Sequence, residues 1–178
     1  DMSTSKYNTI RETFGPTGAC MAIKRKTFFD LGCFTDFYFM YMEDVDFGWK
    51  IQNNSLKSAV NCNSVIYHKS HSTNYKMFYN NVFRNSSWMI VKNAPYGLIV
   101  PMLILLLFST ITFTLVLFSR RNSSYKQPLQ GISEAFFSAK SYSKISSLLN
   151  NKKRGIKNIY GLRQTFSSVK RIQKGHLV

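Results

Sequence analysis

FYFMYMEDVDFGWKI, residues 37–51, is the stretch on which the reading of this chain turns. A run of aromatic and methionine side chains leads into Glu43, Asp44 and Asp46, and beyond it Val45 pairs with Trp49 and Phe47 with Ile51 at i, i+4. That spacing predicts a helix over residues 43–52 with three acids in its first turn. On such a helix Glu43 and Asp46, three residues apart, share a face, while Asp44 points elsewhere. Acids in a first turn complement the positive end of the helix macrodipole, which accounts for one or two of them. Three like charges within four residues also repel, and so ask for a nearby cation or a catalytic role.

Upstream, residues 18–24 (GACMAIK) read as a short buried strand, and residues 27–31 followed by Gly32 as a helical turn closed by a C′ glycine. Downstream, residues 64–67 (SVIY) read as a strand that ends at His68. Strands mixed with helices predict an α/β or α+β layer and not a bundle. His68 and His71 form an HxxH pair without the acid and the helix of a zinc hydrolase. A lone histidine at a strand end is ordinarily a satisfied surface or core residue.

The acids stand out because the chain has few of them. Its 178 residues hold 24 Lys and Arg against 8 Asp and Glu, for a formal net charge of +16, and their 44% hydrophobic content excludes a wholly disordered chain. Up to Asp46 five bases face seven acids; beyond it nineteen bases face Glu134 alone. Such an imbalance calls for an acidic partner: a membrane surface, a nucleotide or a nucleic acid. Cys20, Cys33 and Cys62 form no CxxC pair and no disulfide framework, which fits a reducing compartment. The chain opens Asp1-Met2 with polar residues where a secretory signal has its apolar core, and the native N-terminus is expected further upstream.

Residues 93–119 carry no charge, and their centre, PYGLIVPMLILLLFSTITFTLVLF, is apolar on every face. Its roughly 24 residues, at about 1.5 Å each, are long enough to span a bilayer as a helix. Pro101 marks either a first helical turn or a kink, so a bent, half-inserted hairpin is the alternative to a span, and a buried core helix is the third reading. The segment divides the chain into a mixed α/β piece (1–92), a hydrophobic membrane segment (93–119) and a basic tail (120–178). The tail has helical periodicity through Ile132, Ala135, Phe136 and Phe137 and again through Ile145, Leu148 and Leu149. It reads either as basic amphipathic helices on anionic lipid or as a helix pair packed on its own domain. No nucleic-acid module is recognisable in it, which favours a membrane over nucleic acid as partner.

The stretch GPTGACMAIKRKTFFDLGCFTDFYFMYMEDVDFGWKIQNNSLKSAVNCNSVIYHKSHST resembles the second half of the catalytic domain of family 2 glycosyltransferases, in their rhamnosyltransferase-like group. A small-residue strand, a helix, a Gly-Phe-Asp-Glu-like turn, a Glu-Asp-x-Asp helix, a strand and a histidine arrive in the family's order over about residues 14–92. GISEAFFSAK and KRGIKNIYGLR in the tail are similar, more weakly, to the closing helices of such enzymes. The resemblance implies an α/β fold, the C-terminal, acceptor-side part of a GT-A (nucleotide-diphospho-sugar transferase) domain, followed by a membrane helix and basic amphipathic helices. It implies a membrane-associated, metal-dependent, inverting transferase that moves a sugar from a nucleotide-diphospho-sugar to a cell-surface glycan or a lipid-linked acceptor.

Carried onto this sequence, the resemblance makes Asp44 the general base that deprotonates the acceptor hydroxyl, with Glu43 and Asp46 orienting acceptor or base. His68 matches a histidine that helps ligate Mg²⁺ or Mn²⁺ in some members. Gly18 and Ala19 would line the sugar pocket, and Trp49 and Arg84 complete the implied substrate-binding set. Arg84 and Asn85, in VFRNSSWMIVKN, match an Arg-Asn that precedes the membrane-facing part in similar proteins; Arg84 suits a diphosphate or lipid phosphate, or is an exposed arginine at a helix start. Thr35 stands where the family usually has Asp, and Lys50 where Arg is common. Nothing before Gly15 matches the βαβ nucleotide-binding half with its Asp-x-Asp, so the chain is expected to be inactive alone. The catalytic part is expected on the cytoplasmic side, where nucleotide sugars are, and the basic tail asks for the same side, which a single crossing cannot satisfy. A non-enzymatic basic membrane protein whose tail binds anionic lipid or nucleic acid is the competing reading.

Overall fold

The computed structural model describes residues 10–68 and 77–138 together with Ser141 and Ile145. It is mixed α/β, mostly helical, with one two-stranded sheet and one long apolar helix. Strand β1 (Ile10–Thr13) runs antiparallel to β2 (Ser58–Asn61), with Ile10 opposite Asn61 and Thr13 opposite Ser58. Helix α1 (Arg25–Asp30) closes on Gly32 at φ +74°, whose N–H bonds Phe29 O while the Cys33 N–H bonds Phe28 O. That pair of bonds is the glycine-closed helix end expected from the sequence.

Helix α2 (Glu43–Asn53) is the predicted acidic helix, one residue longer than expected. It lies close against the residues that follow β1. A Cβ added at Gly15 would stand 2.5 Å from Gly48 Cα, closer than real Cβ atoms come, so two glycines facing each other set the approach of helix and strand. Phe14 packs edge-on against Trp49 with ring centroids 5.4 Å apart, and Gln52 Nε2 donates to Phe14 O at 2.8 Å.

Helix α3 (Phe78–Asn93) stands at the centre. It stops where Ala94 turns extended ahead of Pro95, as the residue before a proline must, and α4 (Tyr96–Ser119) begins at once. Helix α4 runs unbroken through Pro101. Phe113 meets Tyr79 at 5.3 Å and Phe83 at 5.7 Å, so α4 folds back along α3. Helix α5 (Gln127–Phe137) crosses onto α3 where Gly131 meets the Asn80 carbonyl, and Trp88 Nε1 donates to Ala135 O at 3.1 Å. One hydrophobic core joins Phe14 and Trp49 with Phe83 and Met89 of α3, Leu106 and Phe113 of α4, and Ala135 of α5. It therefore runs across both boundaries, 92/93 and 119/120, drawn from the sequence.

Two expected strands are corrected. Residues 18–24 form no strand: an isolated bridge joins Thr17 to Cys20, and residues 18–20 lie exposed. Residues 64–67 have no regular structure, and Val65, Ile66 and Tyr67 are exposed; the strand lies earlier, at residues 58–61. A strand needs a ladder partner. Among the described residues the sheet contains β1 and β2 alone, and β2 takes the edge that β1 offers. In the tail, the periodicity from Ile132 to Phe137 is α5 packed on the chain's own core, with Phe137 left exposed. Ile145 also packs on that core, whereas Leu148, Leu149 and His71 lie outside the described residues.

Candidate functional site

The turn that launches α2 is built from backbone that side chains rarely adopt. Phe39, Tyr41 and Met42 have φ of 62°, 70° and 73°, in the left-handed half of φ space. One buried amide holds them there: Asn85 Nδ2, from α3, donates to the carbonyls of Tyr38 (3.0 Å), Met40 (2.9 Å) and Tyr41 (2.9 Å). Its Oδ1 accepts from Arg84 Nε at 3.2 Å. The turn so fixed delivers Glu43, Asp44 and Asp46 to the start of a helix whose N-cap, Met42, supplies no side-chain bond of its own.

The three acids then have three different fates. Asp46 is sealed in the core with no exposed surface. Oδ1 accepts from Tyr38 OH at 3.1 Å, Asn93 Nδ2 at 2.7 Å and Lys92 Nζ at 2.8 Å, and Oδ2 from Thr35 Oγ1 at 2.7 Å and Lys92 Nζ at 2.6 Å. Lys92 also donates to Thr35 Oγ1 at 2.7 Å. A buried charge is tolerated when it is paired and its lone pairs are filled, and here both conditions hold. Burial, followed by the charge of Asp46, holds the Tyr38 phenol well above its usual range, so Tyr38 remains a donor to that carboxylate. Lys50 approaches Asp46 Oδ2 at 3.9 Å but donates to Gly32 O (3.2 Å) and Cys33 O (2.7 Å). Burial, and after it the charge of Lys92, lowers the Lys50 pKa.

Asp44 is partly exposed. Its Oδ2 accepts the Gly18 N–H at 2.9 Å and its Oδ1 the Val45 N–H at 2.8 Å, so the carboxylate is oriented by backbone on both oxygens. The structure thus brings Gly18 and Asp44 together from 26 residues apart. A Cβ at Gly18 would stand 3.5 Å from Asp44 Cβ, an ordinary contact; the tight approach belongs to Gly15. Ala19, beside it, is exposed.

Glu43 is half-buried, and its Oε2 is enclosed without a hydrogen-bond partner. Burial pushes its carboxyl above the usual carboxylate range, a bond with its own backbone N–H draws it partly back, and the charge of Asp44 raises it further. The arrangement sets a backbone-held carboxylate, Asp44, beside a half-buried carboxyl, Glu43.

The remaining sequence candidates stand apart from this pair. Trp49 is 1% exposed, with its ring against Phe14, and serves as core. Arg84 meets Glu134 Oε2 at 3.5 Å and lies over the Trp88 ring at 5.0 Å, so it ties α3 to α5. His68 is exposed in the irregular segment after β2. Among the described residues no three His, Cys, Asp or Glu side chains gather as a metal-binding group. Lys92 and Asn93 are not among the candidates the sequence offers, and Asn85 is singled out there only as the neighbour of Arg84, with no role assigned to it. Their signal is polar residues at i, i+7 and i+8, one side of a helix that otherwise buries Phe83, Met89 and Ile90.

The chain has a glycosyltransferase-like relationship over part of its length. N-acetylglucosaminyl-diphospho-decaprenol L-rhamnosyltransferase from two strains of Mycobacterium tuberculosis is 41% identical over 58 residues, which are 32% of this chain. The match spans 19% of the relatives' own length. No protein-family model and no solved structure matches the chain.

Proposed function

We propose that the chain is the acceptor-side part of an inverting glycosyltransferase of the family 2 kind, built on a GT-A domain. The observation that carries this reading is Asp44: a partly exposed carboxylate with both oxygens oriented by backbone N–H groups, on a helix set by a strained turn. Asp44 accepts the proton of an acceptor hydroxyl while that oxygen bonds to the anomeric carbon. The bond from that carbon to the nucleoside diphosphate breaks on the opposite face, and the diphosphate leaves with the electron pair. Glu43 lies beside Asp44, and Asp46 anchors their helix from beneath. Gly18 orients Asp44 through its N–H, and Ala19 shares its exposed edge.

The relatives' printed name supplies the first substrates to try, a nucleotide-diphospho-rhamnose and an N-acetylglucosaminyl-diphospho-polyprenol. A divalent metal with His68 as a ligand belongs to the same reading. Among the described residues no group of three His, Cys, Asp or Glu side chains forms around it. The test is transfer of labelled sugar by membranes that contain the whole protein. Asp44→Asn should lower the rate by about 10²–10⁴-fold while the amount of folded protein stays constant. Undiminished turnover in Asp44→Asn would sink the assignment of the base.

A further inference from the structure

Helix α4 has two faces, and both are apolar. Met102, Leu106, Thr110, Phe113, Thr114 and Leu117 form an inner stripe buried in the common core. Opposite them Val100, Ile104, Phe108, Ile111, Leu115 and Phe118 follow one another at three- and four-residue steps, between 44% and 67% exposed. A helix on the surface of a water-soluble domain carries charged and polar residues on its outward face; this one carries a continuous hydrocarbon ridge.

A helix that crosses a bilayer takes into the hydrocarbon whatever packs along it. The inner stripe is buried from Met102 to Leu117, about 22 Å at 1.5 Å per residue, in one core with α3 and α5. Helix α3 bears Asn80, Asn81, Arg84, Asn85, Lys92 and Asn93, and α5 bears Glu134. Sinking these groups into lipid costs far more than α4 alone would recover. The helices before and after α4 also pack on each other, so both of its ends belong to one body on one side of a membrane. Charge names the surface. Arg120, Arg121 and Lys126 stand exposed just beyond α4, and Arg121 lines an open cleft with Phe118, Ser119, Asn122, Ser123 and Tyr125.

We infer that α4 lies in the plane of an anionic leaflet, its outer ridge among the acyl chains, and does not cross the bilayer. The α/β part and the start of the tail through α5 then share one face, which removes the need for the catalytic part and the tail to lie on opposite sides. Nothing in this placement depends on which reaction the chain serves.

The experiment uses the full chain with Cys20, Cys33 and Cys62 replaced by Ser and one fluorophore at a time on Ile104→Cys, Phe108→Cys, Ile111→Cys or Leu115→Cys. Vesicles of phosphatidylcholine, with or without phosphatidylglycerol, carry quenchers at graded depths. All four labels should lie at one shallow depth, about 5–10 Å below the headgroups. Partitioning should be stronger with phosphatidylglycerol and weaken with salt. Ile104→Ser/Phe108→Ser should lower partitioning about tenfold or more, with unchanged circular dichroism. A depth profile that descends along the helix to the bilayer midplane overturns the placement. So does a ridge already shielded from aqueous quencher without vesicles, which would assign the face to a second copy or to the chain itself.

Discussion

Lys92 and Asp46 form the pair on which the site's rigidity rests, because the carboxylate has no exposed surface and the ammonium reaches both of its oxygens within 2.8 Å. Lys92→Met leaves Asp46 buried with only neutral donors at hydrogen-bonding distance. It should destabilise the chain by about 3–5 kcal/mol, and adding Asp46→Asn should recover part of that loss. Urea midpoints of the two variants measure both effects; a Lys92→Met midpoint equal to the parent's would show the pair to be incidental. Sequence spacing placed Glu43 and Asp46 on a shared face and gave no means of knowing that the face turns into the core. The cation anticipated for the acid cluster exists, but it sits 46 residues away on α3. Thr35, a departure from the family's turn, bridges that cation and that acid. Asp44 enters as a candidate through the family resemblance and not through its spacing, and its contact with Gly18 was not legible either way, since 26 residues separate them.

At the scale of elements, the turn over residues 39–42 is a short non-glycine stretch under backbone strain, with one side-chain amide, Asn85, bonded to three carbonyls of residues 38–41. Asn85→Ala removes the donor that three carbonyls share and should cost about 1–3 kcal/mol, the penalty for buried polar groups left unpaired. Amide exchange should rise first at residues 39–44, ahead of the rest of α2; uniform acceleration across the chain would show that the turn has no separate dependence on Asn85. Helices α2 and α4 and the glycine-closed end of α1 were readable because each is specified within a few residues of itself. The strands were not. SVIY has the β-branched and aromatic composition of a strand but pairs with nothing among the described residues, whereas the plain SAVN of β2 pairs because β1, some 48 residues earlier, lies alongside. Pairing partners decide strands more than composition does.

Considered as a whole, the molecule is organised around α3, which touches α2 through Lys92 and Asn93, α5 through Trp88 and Arg84, and α4 through Tyr79 and Phe83. Trp88→Ala removes a buried ring and the bond to Ala135 O, and should cost about 3–5 kcal/mol. Because one core joins α2, α3, α4 and α5, hydrogen exchange in α2 and α5 should quicken together in that variant; acceleration confined to α5 would mean that the tail is a separate unit. The division at residues 92 and 119 was drawn where charge stops and resumes, and the core disregards it, since what spans those boundaries is the side-chain packing of helices adjacent in space. The same packing has a consequence during synthesis. Residue 137 is made roughly 18 residues after residue 119, about 1–4 s later at 5–20 residues per second. Through that interval α4 is complete but its inner stripe has no α5 to cover it, and to the cell's insertion machinery it is indistinguishable from a membrane span. The placement of α4 in one leaflet then requires α5 to dock before α4 is taken up.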